Sequence, residues 1–352
     1  MILTIILFIL ILGVIVLVHE GGHFIFAKLT GVHVYEFSIG MGPLLAKKIA
    51  KDKTQYSIRW IPIGGYVSLA GEEISEEERK KTKGANLQDK TVLQRFLVMF
   101  MGVGNNFIFA FLLLLLMGLI YGAPSTTPRI SGVTENYPAQ QVGIEKGDIV
   151  TGINGHKITY LDDISLYLTV EDLSKPVTFD VTKTNGLKEK YTLTPEKVTD
   201  EKGETKYAIG IMLKADTERG VLKSIKYAFN EECAIFKQMF VVLKNLFTGG
   251  VKMNQLSGPL GIAAIVDQTK TVGLVGLLSL TALLSINVGV INLLPFPAFD
   301  GGRILFLIIE KIKGSPVDAK VENTIHTIGF GILILLMIYV SWNDIVKIFF
   351  KH

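Results

Sequence analysis

A single cysteine, Cys233, in 352 residues excludes a disulfide framework and a thiolate-rich metal site. Charge is scarce too. Asp, Glu, Lys and Arg make up 19% of the chain, below the quarter usual for a soluble domain, and the net charge is only +4. No basic run with interleaved aromatics is present, so no nucleic-acid partner is expected. The 35 glycines and 11 prolines follow no period, which excludes a collagen-like polymer. What the chain has is apolar length: 49% of its residues are hydrophobic and the mean hydropathy is +0.42. Part of it belongs in lipid.

Four stretches are long and apolar enough to span a bilayer: residues 1–27, 96–128, 270–300 and 322–344. The first has no Lys or Arg before its apolar run and no small-residue cleavage site after it, so it reads as a retained helix rather than a signal peptide. Residues 28–95 carry twelve Lys and Arg, and residues 296–323 carry Arg303, Lys311, Lys313 and Lys320. Four alternating spans put these two basic loops on one side, and the positive-inside rule makes that side cytoplasmic. Residues 124–270 then lie outside the cell membrane.

The outer segment is a different material. From about residue 128 to 213 it is polar and marked by the turn signals Asn154-Gly155, Asn185-Gly186 and Lys202-Gly203. Short alternating runs such as Val177-Thr178-Phe179-Asp180-Val181 lie between them, which predicts a small β-rich domain with one or two helices. Phe229, Cys233, Phe236, Phe240, Leu243 and Phe247 then recur at helical spacing among lysines and glutamates. That pattern suits an amphipathic helix on or near the outer surface rather than a span. The expected divisions are therefore 1–123, 124–215, 216–270 and 271–352.

Chemistry is concentrated in His19-Glu20-Gly21-Gly22-His23. On a helix the two imidazoles share a face and can bind one metal ion, while Glu20, about 100° round, can reach a water on that metal. Two His and a carboxylate suit zinc with one position left open. A Glu within an apolar run costs about 2.5 kcal/mol or more on insertion scales, so packing alone does not account for it. Gly21 and Gly22 either admit backbone or substrate close to the metal or form a helix-packing notch.

One ligand is missing from this pair. His33 and His326 are candidates, but His33 lies in a basic loop and His326 begins the fourth span. Asp300 is better placed: it ends the third span, after Asn292-Leu293-Leu294-Pro295-Phe296-Pro297-Ala298-Phe299. The first and third spans both enter from outside, so residues 19–23 and Asp300 reach the same depth. Pro295 and Pro297 break the helix there, which lipid tolerates only where backbone lines a cavity. The alternative for Asp300 is a turn residue before Gly301-Gly302.

Together these motifs resemble the site-2 protease family of intramembrane zinc metalloproteases, most closely its bacterial RseP-type branch. Pro62-Ile63-Gly64-Gly65-Tyr66-Val67 is similar to the family's membrane-reentrant β-loop, and Ser257-Gly258-Pro259 also agrees. The resemblance covers essentially the whole chain. It implies a polytopic α-helical membrane protein of four transmembrane helices, with a membrane-associated β-hairpin and one inserted extracytoplasmic PDZ domain. It further implies one Zn2+ held by His19, His23 and Asp300, Glu20 as general base, and Asn292 with Pro297 against the substrate backbone. Three positions depart from the pattern: Gly21 replaces a bulky apolar residue, Val103 stands where Pro is usual, and there is room for one PDZ domain rather than two.

A peptide bond inside a transmembrane helix must be unwound before attack, and its freed N–H and C=O groups need partners in lipid. Phe37-Ser38-Ile39-Gly40 and Tyr56-Ser57-Ile58-Arg59-Trp60-Ile61 flank a Lys51-Asp52-Lys53 turn, and this β-hairpin could offer a strand edge, with Gly64 and Gly65 allowing close approach. Ser131-Gly132-Val133 and the run from Val142 through Gly147-Asp148 to Asn154-Gly155 resemble a bacterial PDZ pattern, with Tyr207-Ala208-Ile209-Gly210-Ile211 as its carboxylate loop. The implied partners are the bilayer, PDZ-bound peptide ends, and single-span membrane proteins already trimmed by another protease. By resemblance the substrate is an anti-sigma factor, a signal-peptide remnant or a pheromone precursor. Two other functions compete. One is a membrane-tethered PDZ scaffold with a vestigial metal site, which would not need Glu20. The other is a zinc or proton transporter, which would place acidic or His residues in several spans.

Overall fold

A computed structural model describes residues 2–71, 82, 84–199, 205–250 and 257–350. The chain divides into two compact units, Met1–Leu113 with Met253–His352, and Leu114–Lys252.

The first unit is mostly helical. Among the described residues, four helices of the whole chain are long and apolar enough to cross a membrane: α1 (Ile2–Leu29), α2 (Val92–Tyr121), α7 (Leu274–Leu293) and a window, Lys320–Lys347, of α9 (Ala319–Phe350). The sequence places all four. α1 stops where Thr30 turns its hydroxyl back to the Phe26 carbonyl and Gly31 takes φ +70°. α7 stops at Leu294, extended at ψ 139° because Pro295 follows it. A six-residue break leads into α8 (Asp300–Lys313), which ends on Gly314 at φ +77°. Ile11 and Ile15 of α1 pack with Val266 of α6 (Pro259–Thr269) and with Leu280 of α7, while Leu3, Ile6 and Leu10 stay exposed.

Between α1 and α2 lies the expected hairpin, β1 (Val34–Ile49) and β2 (Gln55–Leu69), paired antiparallel around a turn with Lys53 at φ +67°. The strands are long and bent. Glu36–Ile39 consequently has partners in both halves of β2, residues 55–58 and 65–68, which leaves the second half of β2 as an outer edge. Val34 and Leu69 pack with Ala27, Val98 and Ile304, tying the hairpin to the helices.

In the second unit, β3 (Ala123–Pro124) is the short strand that follows α2. β4 (Gly132–Val133) and the four-residue helix α3 (Pro138–Gln141) precede a four-stranded antiparallel sheet, ordered β6-β5-β7-β8. Its strands are β5 (Ile149–Ile153), β6 (His156–Lys157), β7 (Val177–Thr182) and β8 (Lys188–Leu193), with α4 (Leu161–Val170) inserted after β6. Val177, Phe179 and Val181 are buried while Thr178, Asp180 and Thr182 alternate outward, the period of a half-buried strand. Asn154 (φ +47°) and Gly155 (φ +81°) form the predicted tight turn between β5 and β6, and Gly186 (φ +85°) serves the next hairpin. Lys202-Gly203 lies outside the described residues. The unit continues through β9 (Glu196–Thr199), β10 (Thr205–Ala208), β11 (Ile211–Met212) and β12 (Thr217–Glu218) to the amphipathic α5 (Val221–Thr248).

One ion pair joins the start of β5 to the end of β7, with its lysine side chain only 12% exposed. Asp148 is completely buried and accepts from the Glu145 N–H at 2.9 Å and from Lys183 Nζ at 2.9 Å. Burial alone would depress the lysine, but its bonds to Asp148 and Glu145 outweigh that and hold the ammonium charged well above the ordinary lysine range. Lys183→Met strands the carboxylate, and the expected loss is about 3–5 kcal/mol. Proteolysis-monitored unfolding of the full chain measures it, and Asp148→Asn in the same background should recover part of the loss.

Candidate metal centre

Three side chains from two helices meet at one point. His19 and His23 stand on the last third of α1, one turn apart, and Asp300 opens α8. The Asp300 Oδ2 atom lies 3.1 Å from His19 Nε2 and 3.3 Å from His23 Nε2, and the two nitrogens are 3.3 Å apart. A tetrahedral ion with bonds of 2.0–2.1 Å needs ligand atoms about 3.3 Å apart, so the triangle has the size of a zinc site. Among the described residues it is the one cluster of three such side chains within metal-binding reach.

The hydrogen bonds fix which atoms face inward. His23 Nδ1 lies 2.8 Å from the Val98 carbonyl, which can only accept, so the proton sits on Nδ1 and the Nε2 lone pair is free. His19 Nδ1 is 3.3 Å from the side-chain amide of Asn106. The Asn106 Oδ1 atom, fully buried, otherwise has no partner, and a half-turn of the amide makes it the acceptor for His19 Nδ1–H. Two imidazole lone pairs then converge on Asp300 Oδ2, itself buried without a hydrogen-bond partner. Three acceptors pointing at one spot call for a cation, so the donor set fits zinc. Anchoring the far nitrogen of each ligand imidazole is how metal sites orient their histidines.

Glycines let these backbones approach. A Cβ on Gly22 would fall 1.9 Å from the Met101 carbonyl oxygen, so this glycine makes the helix-packing notch between α1 and α2. Nothing stands within 4 Å of a Cβ on Gly21. A Cβ on Gly102 would sit 2.2 Å from His23 Nε2. Gly301 and Gly302 fold α8 back onto the Leu293, Leu294 and Phe296 carbonyls, where a Cβ would collide at 2.2–2.5 Å.

Glu20, half-buried, accepts from the Val67 N–H at 3.0 Å, so the outer edge of β2 borders the cluster. Gly64 (φ +76°) and Gly65 face β1: a Cβ on the first would meet Met41 and on the second the Ser38 carbonyl. Pro297 packs on Gly329 of α9, and Asn292 is half-buried near the end of α7. His326 stays outside the cluster. Its Nδ1 accepts from the Ala298 N–H at 3.1 Å and braces a residue held at φ +83° two positions before Asp300. His33 also lies elsewhere, with its ring against Tyr35. Sequence reasoning missed Gly102, Asn106 and the Val98 carbonyl. The available signal was Asn105-Asn106, two amides in the apolar second span; Asn105 bonds the Val18 carbonyl at 3.2 Å.

The model of peptidase family M50 matches residues 7–336. The chain belongs to this family, that of the site-2 proteases. It is 32% identical to the regulator of sigma-W protease RasP of Bacillus subtilis, over 98% of this chain and 99% of that one. To the Enterococcus faecalis protein named as the protease eep it is 34% identical, over 99% and 100%. A Clostridium perfringens protein named for zinc metalloprotease activity is 36% identical over 94% and 95%. A solved PDZ domain of an SdrC-like protein from Listeria innocua is similar over 25% of this chain and 92% of its own length, at 22% identity and a TM-score of 0.21. This M50 member is therefore a multi-pass membrane metalloprotease whose metal is zinc.

Two substitutions separate ligand orientation from ligand identity. Asn106→Ala should weaken zinc binding about 10–100-fold, the usual cost of losing an imidazole's outer support, and Gly102→Ala should weaken it by a different route, a Cβ that intrudes on His23 Nε2. Competition with a chromogenic chelator measures this, and secondary structure followed by circular dichroism should stay unchanged.

Proposed function

We propose that the chain is an intramembrane endopeptidase that cuts within the transmembrane segments of single-span proteins, with His19, His23 and Asp300 as zinc ligands and Glu20 as general base. The observation that carries this is the convergence of three unpaired acceptor atoms at zinc-site spacing beside a carboxylate held by the edge of the hairpin. Zinc, when bound, supplies Lewis-acid activation of a water molecule. Glu20 accepts a proton from that water as the water oxygen bonds to the scissile carbonyl carbon. It then returns the proton to the leaving nitrogen as the C–N bond breaks. Val67 N–H holds the Glu20 carboxylate in place during both transfers.

The substrate arrives as a strand. Once unwound it has free backbone donors and acceptors, and the outer edge of β2, running past Glu20, offers matching groups by strand addition. Gly64 and Gly65 shape that edge, and Asn292 and Pro297 line the backbone path near Asp300. The basic loops are assigned to the cytoplasm, which puts the site toward the cytoplasmic side and the PDZ-type domain outside. That domain takes up extended peptide ends and admits substrates already trimmed by another protease.

Glu20→Gln should retain zinc but lose proteolysis of a reconstituted single-span substrate by about 100-fold or more. Cleavage at the parental rate would refute the assignment of Glu20, and zinc binding without cleavage by either protein would indicate a scaffold. A substrate retaining a folded ectodomain should be cut more slowly than its trimmed form, and equal rates in the same assay would eliminate the filtering role.

A further inference from the structure

α8 is built inside out. Leu305, Ile308, Ile309 and Ile312 recur at i, i+3, i+4 and i+7, which places them on one face of the helix. That face points outward: the four side chains are 39%, 49%, 39% and 83% exposed. The inward side carries Ile304, packed with Val34 and Leu69, and the ion-pairing Glu310. Glu310 forms a two-pronged ion pair with Arg95 of α2, with side chains only 14% and 12% exposed, and Phe306 packs on the His326 ring of α9. In water a helix turns its Leu and Ile face to the protein and its ions to solvent. The reverse arrangement is stable where the outer medium is apolar.

The level of the helix says what that medium is. Arg95 lies in the first turn of a membrane-spanning helix that begins at Val92, and Leu93 beside it is 66% exposed. Ile328, two residues beyond His326, is 59% exposed. The α8 stripe therefore continues the lipid-facing belt of the two helices it touches. Lys311 and Lys313, both exposed, flank the stripe on either side in the last turn before Gly314, where their ammonium groups can reach lipid phosphates while the stems lie along the acyl chains.

We propose that α8 is a bilayer-docking helix: its Leu305, Ile308, Ile309 and Ile312 face lies in the leaflet nearest Arg95, with Lys311 and Lys313 at the phosphate level. Asp300 is the first residue of this helix, so the docked face also sets the depth at which that carboxylate is presented. The seat exists whether or not Asp300 binds zinc.

The test uses the full chain in nanodiscs holding one copy, in a Cys233→Ser background, with single cysteines placed at the four apolar positions and at Lys311 and Lys313. A membrane-impermeant maleimide needs a thiolate and the thiolate needs water, so the apolar positions should label about tenfold more slowly than the two lysine positions. Equal rates would overturn the proposal, and so would protection that appears only in discs holding two copies, which would make a second molecule the cover. Hydroxyl-radical footprinting of the unsubstituted chain gives the same answer without variants. Oxidation of Ile308 and Ile312 should be low in nanodiscs, and oxidation as strong as at solvent-exposed Leu187 of the second unit would refute lipid cover.

Discussion

The rest of the first unit depends on one electrostatic constraint. A carboxylate and two imidazole lone pairs are brought within 3.3 Å of one another in a place mostly closed to water. Without a cation these atoms repel and stay unsolvated, and with one they would supply three of its ligands and leave a position open. Everything near them keeps the three atoms converged. Gly22 and Gly102 let α1 and α2 touch, the Val98 carbonyl and Asn106 turn the rings, and Gly301 and Gly302 press the opening turn of α8 against the broken end of α7.

The break itself is what makes Asp300 available. Pro295 and Pro297 remove two backbone donors and force extended geometry. The exposed ends of that irregular stretch are then recovered from neighbours: His326 takes the Ala298 N–H, and Gly329 receives Pro297. The irregular backbone persists here because its freed groups find protein partners. A comparable device secures the start of α6, where buried Asp344 of α9 accepts the Gly261 N–H at 2.8 Å.

The hairpin adds the second half of the chemistry. Glu20 would be a costly charge in an apolar helix on its own, and the Val67 N–H partly compensates it while aligning it with the edge of β2. One backbone group thus links the residue proposed to transfer the proton to the strand proposed to hold the substrate. On the proposed function, the union of base and substrate edge in a single contact suits a reaction whose substrate has to be unwound before it can be cut.

Composition and pattern marked the four spans, the hairpin with its lysine turn and the β-rich insert, and put forward His19, Glu20 and His23, with Asp300 added by its depth and by the resemblance, because each leaves a local mark. Apolar runs, alternation, turn residues, and ionisable groups where lipid penalises them can all be read in order along the chain. Only the tertiary structure decided how the site is held. Asn106 reaches His19 across 87 positions, Gly102 matters for a ring on another helix, and the Val98 carbonyl is a backbone atom with no signature in any residue type. The same holds for α8, which falls in the basic loop 296–323 that the charge count assigned to the cytoplasmic side. Which face of an amphipathic helix turns inward depends on what it packs against, and that information lies in Arg95 and His326 rather than in residues 300–313.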